Sequence, residues 1–576
     1  MGINRGAAIP GTRTAATALG LGMLAFTLAA GPMDLSRLSS GVYRTGKINP
    51  DEYVNLFHKD GKTASIDLIQ STNTSGTRSV SIMTNGKPDA MLNMISSGPA
   101  TPDESTMVLA GALPMALHPA ATRAAIIGMG SGLSTHTMLS ATQLTTVDTI
   151  EIEPAVIEAA NGFRPRVELA YTSPRGRFHI DDAKSFFSTY NQQYDIIMSE
   201  PSNPWVSGTA ALFTEEFYIL TKRHLAPQGL LVQWLQTYEI NEELVASVLK
   251  ALASQFDHYV IYAANHSDLI IVARADGPLP MPEGAIFEQR GLHAGLARIG
   301  IRNLQDLELR RIGDQRSLGP LFASYAISAN SDYFPVLDLG ATRARFMGSN
   351  ASNLIAFRNA GIPALEMLSA PAPKIPATSA SLSPYYDRSQ HTRTAVQLLD
   401  FFTRNGDAAL PGVETALANN ARFVQGAFID CRINPATETW LKDTSSIVNL
   451  MIPQLTREEM SQVWQRIGAA PCFATLSPQQ RSWVALWANV TRRDAAGMWR
   501  QATALLPDAL GTVGPLHTEY LLLCALLGAV VQNDPNAAQQ LWTRYAPGLY
   551  QVLKPALIAR LLAAHAYAGG PIPYLR

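Results

Sequence analysis

Cysteine is nearly absent from this chain of 576 residues: Cys431, Cys472 and Cys524 stand far apart, with no Cys-x-x-Cys spacing. This spacing suggests neither a disulfide framework nor a zinc site, and no metal is expected; the three residues read as isolated buried thiols. A charge imbalance is missing too. The 45 basic and 46 acidic residues leave a formal net charge of −1, which gives no electrostatic basis for a nucleic-acid partner. What is plentiful is apolar: 47% of residues are hydrophobic and 16% charged, enough for a large core. A chain this long holds more than one domain, since single cores rarely grow beyond ~250–300 residues.

One uncharged run stands out at the N-terminus, Thr14–Met33, with Arg5 and Arg13 before it and Asp34 after it. Its length just suffices to cross a bilayer, ~20 residues, and the preceding arginines would keep the N-terminus cytoplasmic. A signal peptide would need a cleavage site of the Ala-x-Ala kind, which the end of the run lacks. A membrane anchor is the favoured expectation, with a membrane-associated protein as its consequence; the alternative is an apolar tail on a cytoplasmic protein.

The chain is organised around Ala124–Glu153. An apolar strand, Ala124–Ile127, leads into Gly128, Gly130 and Gly132 and a helical segment from Leu133 to Ser140; a second apolar run, Val147–Ile152, carries Glu151. This is the layout of a nucleotide-binding βαβ unit. Glycines allow a tight turn and close approach of backbone to ligand, and an acid ending the second strand can grip ribose hydroxyls. Further short strands end in Asp181-Asp182 and in Glu200, and helices alternate with strands to about Ala273. The economical fold is α/β: a Rossmann-like, doubly wound, mostly parallel sheet whose ligands lie beyond the carboxyl ends of its strands. Acids accumulate at those ends.

Around this unit the expected organisation is an apolar segment (1–36), a small antiparallel β-domain (40–100), the Rossmann-like domain (101–275), a mixed appendage (276–370), a Pro/Ala/Ser-rich linker (371–390) and an all-helical C-terminal domain (391–576). No 34-residue period with a repeat consensus emerges from the last. His517 and His565 lie there singly on apolar segments and read as structural. Asp182, or Asp181 beside it, is placed to accept a hydrogen bond from an adenine amino group. Glu200 opens the proline-rich turn Glu200–Pro204, and 206–212 (VSGTAAL) suits a loop folding over substrate.

The order GMGSG (128–132), EIEP (151–154), IDDA (180–183), EPSNP (200–204) and LFTEEFY (212–218) resembles the spermidine synthase (polyamine aminopropyltransferase) family. The resemblance covers roughly 40–275, and the nearest likeness is to a bacterial branch whose synthase-like domain follows membrane helices. It implies a methyltransferase-like fold and an S-adenosyl-type sulfonium co-substrate, decarboxylated S-adenosylmethionine, whose aminopropyl chain is transferred to a small-molecule amine. It also implies Glu200 as general base and Asn203 as the group orienting the amine. Gly128, Gly130, Ser131, Gly132, Glu151, Asp181 and Asp182 would form the nucleoside cradle. Three departures stand out: Ser131 replaces the Asp of the family's GGGDG turn, Glu200 and Asn203 replace the two acids of its D-S-S-D-P segment, and its Tyr and Glu have no counterpart near Met107–Leu109. Losing the acid at Ser131 removes repulsion towards a donor carboxylate, worth a few kcal/mol at ~4 Å and an effective dielectric near 20. Intact S-adenosylmethionine and methyl transfer are therefore the alternative. A second is a non-catalytic nucleoside-binding scaffold. A homodimer, and a protein partner for the C-terminal helices, complete the expectations.

Overall fold

The computed structural model describes residues 10–29, 34–48, 53–73, 76–95, 98–369, 376–381, 387–404, 410–432 and 437–575. Four strands, β1 (Val54–Asp60), β2 (Ser65–Thr72), β3 (Arg78–Thr84) and β4 (Lys87–Asn93), form an antiparallel sheet in chain order. Asn85 and Gly86 join β3 to β4, both with positive φ (49° and 75°). A two-residue Asn-Gly link of this kind matches the twist of paired strands.

The large sheet contains β5 (Arg123–Ile127), β6 (Thr146–Glu151), β7 (Gly176–Ile180), β8 (Tyr194–Ser199), β9 (Leu225–Gln236), β10 (Tyr259–Ala263), β11 (Asp268–Arg274) and β12 (Arg311–Asp314), in the order β12-β10-β11-β9-β8-β5-β6-β7. Neighbours from β7 to β9 are parallel, whereas β11 is antiparallel to both β9 and β10. Counted from β5, the order 3-2-1-4-5-7-6 is that of a Rossmann-like methyltransferase fold, so the expected fold class is the observed one. Its β12 comes from the segment read from sequence only as a mixed appendage. The four residues of β12 pair antiparallel with β10 and are too few to show a period.

The helix Pro102–Leu117 links the two sheets. Thr101 and Glu104 close a capping box at its start, where the Thr101 hydroxyl accepts from Glu104 N–H and the Glu104 carboxyl accepts from Thr101 N–H. The same buried carboxyl receives Arg166 and Arg298. Burial pushes it up, but these guanidinium hydrogen bonds hold it below the usual glutamate range. A buried carboxylate without such partners would be costly, so the pairing fixes the entry of this helix.

Two hydrophobic cores flank the large sheet. One joins the sheet to the small β-sheet and the Pro102–Leu117 helix. The other runs without a break from the opposite face, through Ile312, Leu318 and Leu337, into the C-terminal helices and their buried Trp440, Trp483, Trp487 and Trp542. His565 accordingly reaches the Ser317 carbonyl at 2.9 Å, and His517 lies between Ser445 and the Val513 carbonyl. Residues 371–375 and 382–386 of the expected linker lie outside the described residues. Between them Ala377 is buried, Ala377 and Thr378 donate their N–H groups to Glu459, and Ser381 donates to Asp306.

The cysteine expectation is corrected. Cys431 and Cys472 form a disulfide with Cα atoms 5.3 Å apart, and only Cys524 is a buried free thiol. Helix packing brings together residues 41 apart in sequence, a proximity that spacing rules for short motifs cannot register. Of the apolar run 14–33, residues 30–33 lie outside the described residues. The rest belongs to the helix Pro10–Ala29, along which Leu19, Met23 and Phe26 are exposed. Among the described residues one helix is long and apolar enough to cross a membrane, Gly514–Val531, and it is 67% buried within the protein.

Candidate active site

The glycine turn lies at the carboxyl edge of β5. Gly128, Gly130 and Gly132 have φ of 92°, 50° and 84°, conformations that L side chains avoid. Gly128 is also sterically required: a Cβ there would meet the Glu200 carbonyl oxygen at 2.6 Å. That contact, with the hydrogen bond from Glu200 N–H to the Ile127 carbonyl, sets the Glu200 backbone directly beside the turn. At Gly130 a Cβ would find no atom within 4 Å, so the top of the turn is open.

Glu151, at the end of β6, faces the same turn. Its carboxylate accepts the N–H groups of Met129 and Glu153, each at 2.9 Å. Burial raises its pKa, and those two hydrogen bonds oppose the rise. One strand further, Asp181 accepts from Asp182 N–H, while Asp182 caps the helix Ala183–Thr189 by accepting from Ser185 N–H. Beside these acids Ile152 and Ile180 are 52% and 53% exposed, two apolar faces at an otherwise polar edge. An open glycine turn, a carboxylate at the second strand end and apolar faces next to it fit an adenosine-bearing ligand. Ser131 is turned away from this edge: its buried hydroxyl lies 3.0 Å from the Met107 sulfur.

Glu200, at the end of β8, is enclosed. It accepts the Ser134 hydroxyl at 2.5 Å. Burial pushes its carboxyl up to about 7; Ser134 opposes this, while Asp268 and Asp103 add repulsion. Asp103 is likewise raised to about 7, by burial first and Asp268 second, although it accepts Met91 N–H. Asp268 is also raised, chiefly by burial. It accepts hydrogen bonds from Thr106 and Asn265 on one oxygen; its other oxygen is in no well-formed hydrogen bond, although the Trp234 indole N–H lies near enough to Asp268 to favour the carboxylate. Asn203 is fully buried with neither amide atom in a well-formed hydrogen bond, although its amide lies near enough to the Tyr238 hydroxyl to favour the phenolate.

Contacts from distant segments hold the turn after Glu200. Lys87 and Asp89 of β4 both bond the Ser202 hydroxyl. Trp205 donates its indole N–H to Glu239, which also accepts Arg44, and the Arg345 guanidinium stacks 4.2 Å over the Trp205 ring. Of the residues expected from sequence, the structure gathers the glycines, Glu151, Asp181, Asp182, Glu200 and Asn203 along one sheet edge. Sequence reasoning missed Ser134, Asp103, Asp268 and Tyr238. Asp103 is masked by the capping signal around it, and Asp268 by standing before an apolar strand with no motif. Among the described residues no group of His, Cys, Asp or Glu could hold a metal ion.

Sheet order, glycine turn and strand-end acid together define a Rossmann-like domain of the methyltransferase type. Residues 106–266 match the family model described as spermine/spermidine synthase domain. The polyamine aminopropyltransferase of Alkaliphilus metalliredigens is 29% identical over 120 residues, 21% of this chain and 42% of that protein. Polyamine aminopropyltransferase 1 of Pseudomonas aeruginosa is 31% identical over 194 residues, 34% of this chain and 64% of that protein. The chain thus spans less than two thirds of the length of these relatives. The solved spermidine synthase of Thermotoga maritima is 18% identical with a TM-score of 0.32, covering 38% of this chain and 73% of that one.

Proposed function

We propose that this chain transfers an aminopropyl group from decarboxylated S-adenosylmethionine to a small-molecule amine. One observation carries the reading: Glu200 is a buried carboxyl, poised at about 7 beside the glycine turn, and the charged groups acting on it, Asp268 and Asp103, are both acidic. Acids outnumber the cations that act on this cluster, Lys87 at Asp103 and His266 at Asp268, and an amine adds positive charge beside them. A bound ammonium favours ionised Glu200, and the carboxylate in turn can take the ammonium proton, leaving the nitrogen a free lone pair.

The donor, when bound, supplies an alkyl carbon made electrophilic by its neighbouring sulfonium. The turn Gly128–Gly132 and Glu151 would hold its nucleoside, with Asp181 or Asp182 at the base. Asn203, buried beside the Tyr238 hydroxyl, would orient the amine. The same acids argue against methyl transfer from intact S-adenosylmethionine. A donor carboxylate ~4 Å from one ionised acid costs about 4 kcal/mol at an effective dielectric near 20, and three acids surround the site. The exposed apolar face of the Pro10–Ala29 helix supports a membrane-associated location and the membrane-helix branch of the family.

Calorimetric titration with decarboxylated and intact S-adenosylmethionine tests the reading. Preference for the decarboxylated form is expected. Preference for the intact form would favour methyl transfer, and binding of neither would leave a non-catalytic scaffold.

A further inference from the structure

The helix Val336–Phe346 is apolar on two sides. Its inner residues Leu337, Ala341 and Ala344 are buried in the core that continues into the C-terminal helices. Its outer stripe carries Leu339, Arg343 and Phe346, spaced by four and three residues and hence aligned along one face. Leu339 is 73% and Phe346 89% exposed, and Tyr333, Phe334 and Met347, just beyond the two ends of the helix, are exposed to between 69% and 83%. A surface helix normally turns polar residues to water, and a run of apolar side chains rimmed by polar ones marks a face that something covers.

The route of the chain indicates what that is. The Pro10–Ala29 helix, which exposes Leu19, Met23 and Phe26, ends fourteen positions before Tyr43. Leu35, Leu38 and Val42 on the way are exposed as well. Tyr43 then meets the outer helix, where the Arg345 guanidinium lies 5.2 Å over its ring. Arg44 pins the segment to the body of the protein by pairing with Glu239 at 3.2 Å. A bilayer holding the N-terminal helix is thus tethered close to Leu339 and Phe346, and a short tether makes the second contact an intramolecular one. The chemistry suits a lipid surface too. Aromatic rings favour the headgroup boundary, and apolar side chains with basic residues beside them seat a helix in it. Arg343 and Arg345 outnumber the one acid of the helix, Asp338.

We propose that the outer face of the Val336–Phe346 helix, together with Tyr333, Phe334 and Met347, rests on a lipid bilayer and sets the turn after Glu200 against the membrane surface. The connection to that turn is direct. Arg345 stacks on Trp205, and the Asn330 amide donates to the carbonyls of Ala210 and Phe213, each at 3.1 Å, so the segment carrying the apolar face also backs residues 205–213. The inference rests on the membrane-associated reading of the Pro10–Ala29 helix and is independent of which group the site transfers.

A single reporter can be attached because Cys431 and Cys472 are bonded to each other and Cys524 is buried. Full-length Phe346→Cys labelled with bimane is reconstituted into vesicles of phosphatidylethanolamine and phosphatidylglycerol, with and without lipids brominated high on the acyl chain. The reference is the same label at Gln193→Cys, exposed just before β8 and therefore at the opposite edge of the large sheet from Trp205. Brominated lipid should cut emission at position 346 at least twofold and leave that at 193 unchanged. Protein that floats with the vesicles while both labels stay equally bright would overturn the proposal and leave the membrane anchor standing. Shielding at 346 that depends on protein concentration and not on lipid, the mark of an interface between copies, would overturn it as well. Failure to float at all would remove the anchor reading and this inference with it. Leu339→Cys, on the same stripe, supplies the reporter should Phe346→Cys not fold.

Discussion

Replacing Glu200 by glutamine should stabilise the protein while abolishing its chemistry. Burial and the neighbouring Asp268 and Asp103 raise this carboxyl from an ordinary 4.5 to about 7. At about 1.4 kcal/mol per pH unit, the interval corresponds to roughly 3 kcal/mol. The direction follows from the raised value. Below pH 4.5 the group is protonated both folded and unfolded, and costs nothing. Between 4.5 and 7 the unfolded chain ionises while the folded protein keeps its proton, so stability falls as pH rises. Above 7 the loss is complete and constant. Glutamine has no charge to bury and keeps an oxygen to accept the Ser134 hydroxyl. The variant should therefore match wild type near pH 4, gain over it up to pH 7, and hold a plateau of up to about 3 kcal/mol beyond. Urea unfolding followed by tryptophan fluorescence at pH 4, 6 and 8 measures this. A variant equal to or weaker than wild type at pH 8 would refute the argument, because Glu200 would then be ionised and satisfied in the folded state. Transfer activity in the wild-type protein should rise through pH 7 as Glu200 ionises.

Two further substitutions probe the scaffold. Gly128→Ala forces a side chain onto a φ of 92° and against the Glu200 carbonyl; a loss of ~1–3 kcal/mol and of nucleoside affinity is expected, read by thermal unfolding and titration with S-adenosylhomocysteine. Cys431→Ser opens the loop of separation 41 closed by the disulfide and should cost roughly 3–4 kcal/mol of C-terminal stability; a variant insensitive to dithiothreitol but as stable as oxidised wild type would contradict the bridge.

Much of the sheet was legible because a buried parallel strand is a short apolar run, as at β5, β6 and β8, and β5 is in addition followed by a turn that requires glycine. The strand ends followed directly, and with them Glu151, Asp182 and Glu200. β12 escaped because four residues carry no period, and it owes its place to β10. Asp103, Ser134 and Asp268 escaped for a related reason. Nothing local marks them, and they acquire meaning only when the Pro102–Leu117 helix and β11 fold against the edge beside Glu200. The Cys431–Cys472 bridge is likewise a product of helix packing over a long separation.

The central claim is that the carboxyl of Glu200 drives transfer of an alkyl chain to an amine. The direct measurement is chromatography coupled to mass spectrometry of purified protein incubated with decarboxylated S-adenosylmethionine and 1,4-diaminobutane at pH 8. Formation of 5′-methylthioadenosine in equal amount to aminopropylated diamine, absent with Glu200→Gln, is the predicted result. No such products from the wild-type protein, or undiminished products from Glu200→Gln, would contradict it.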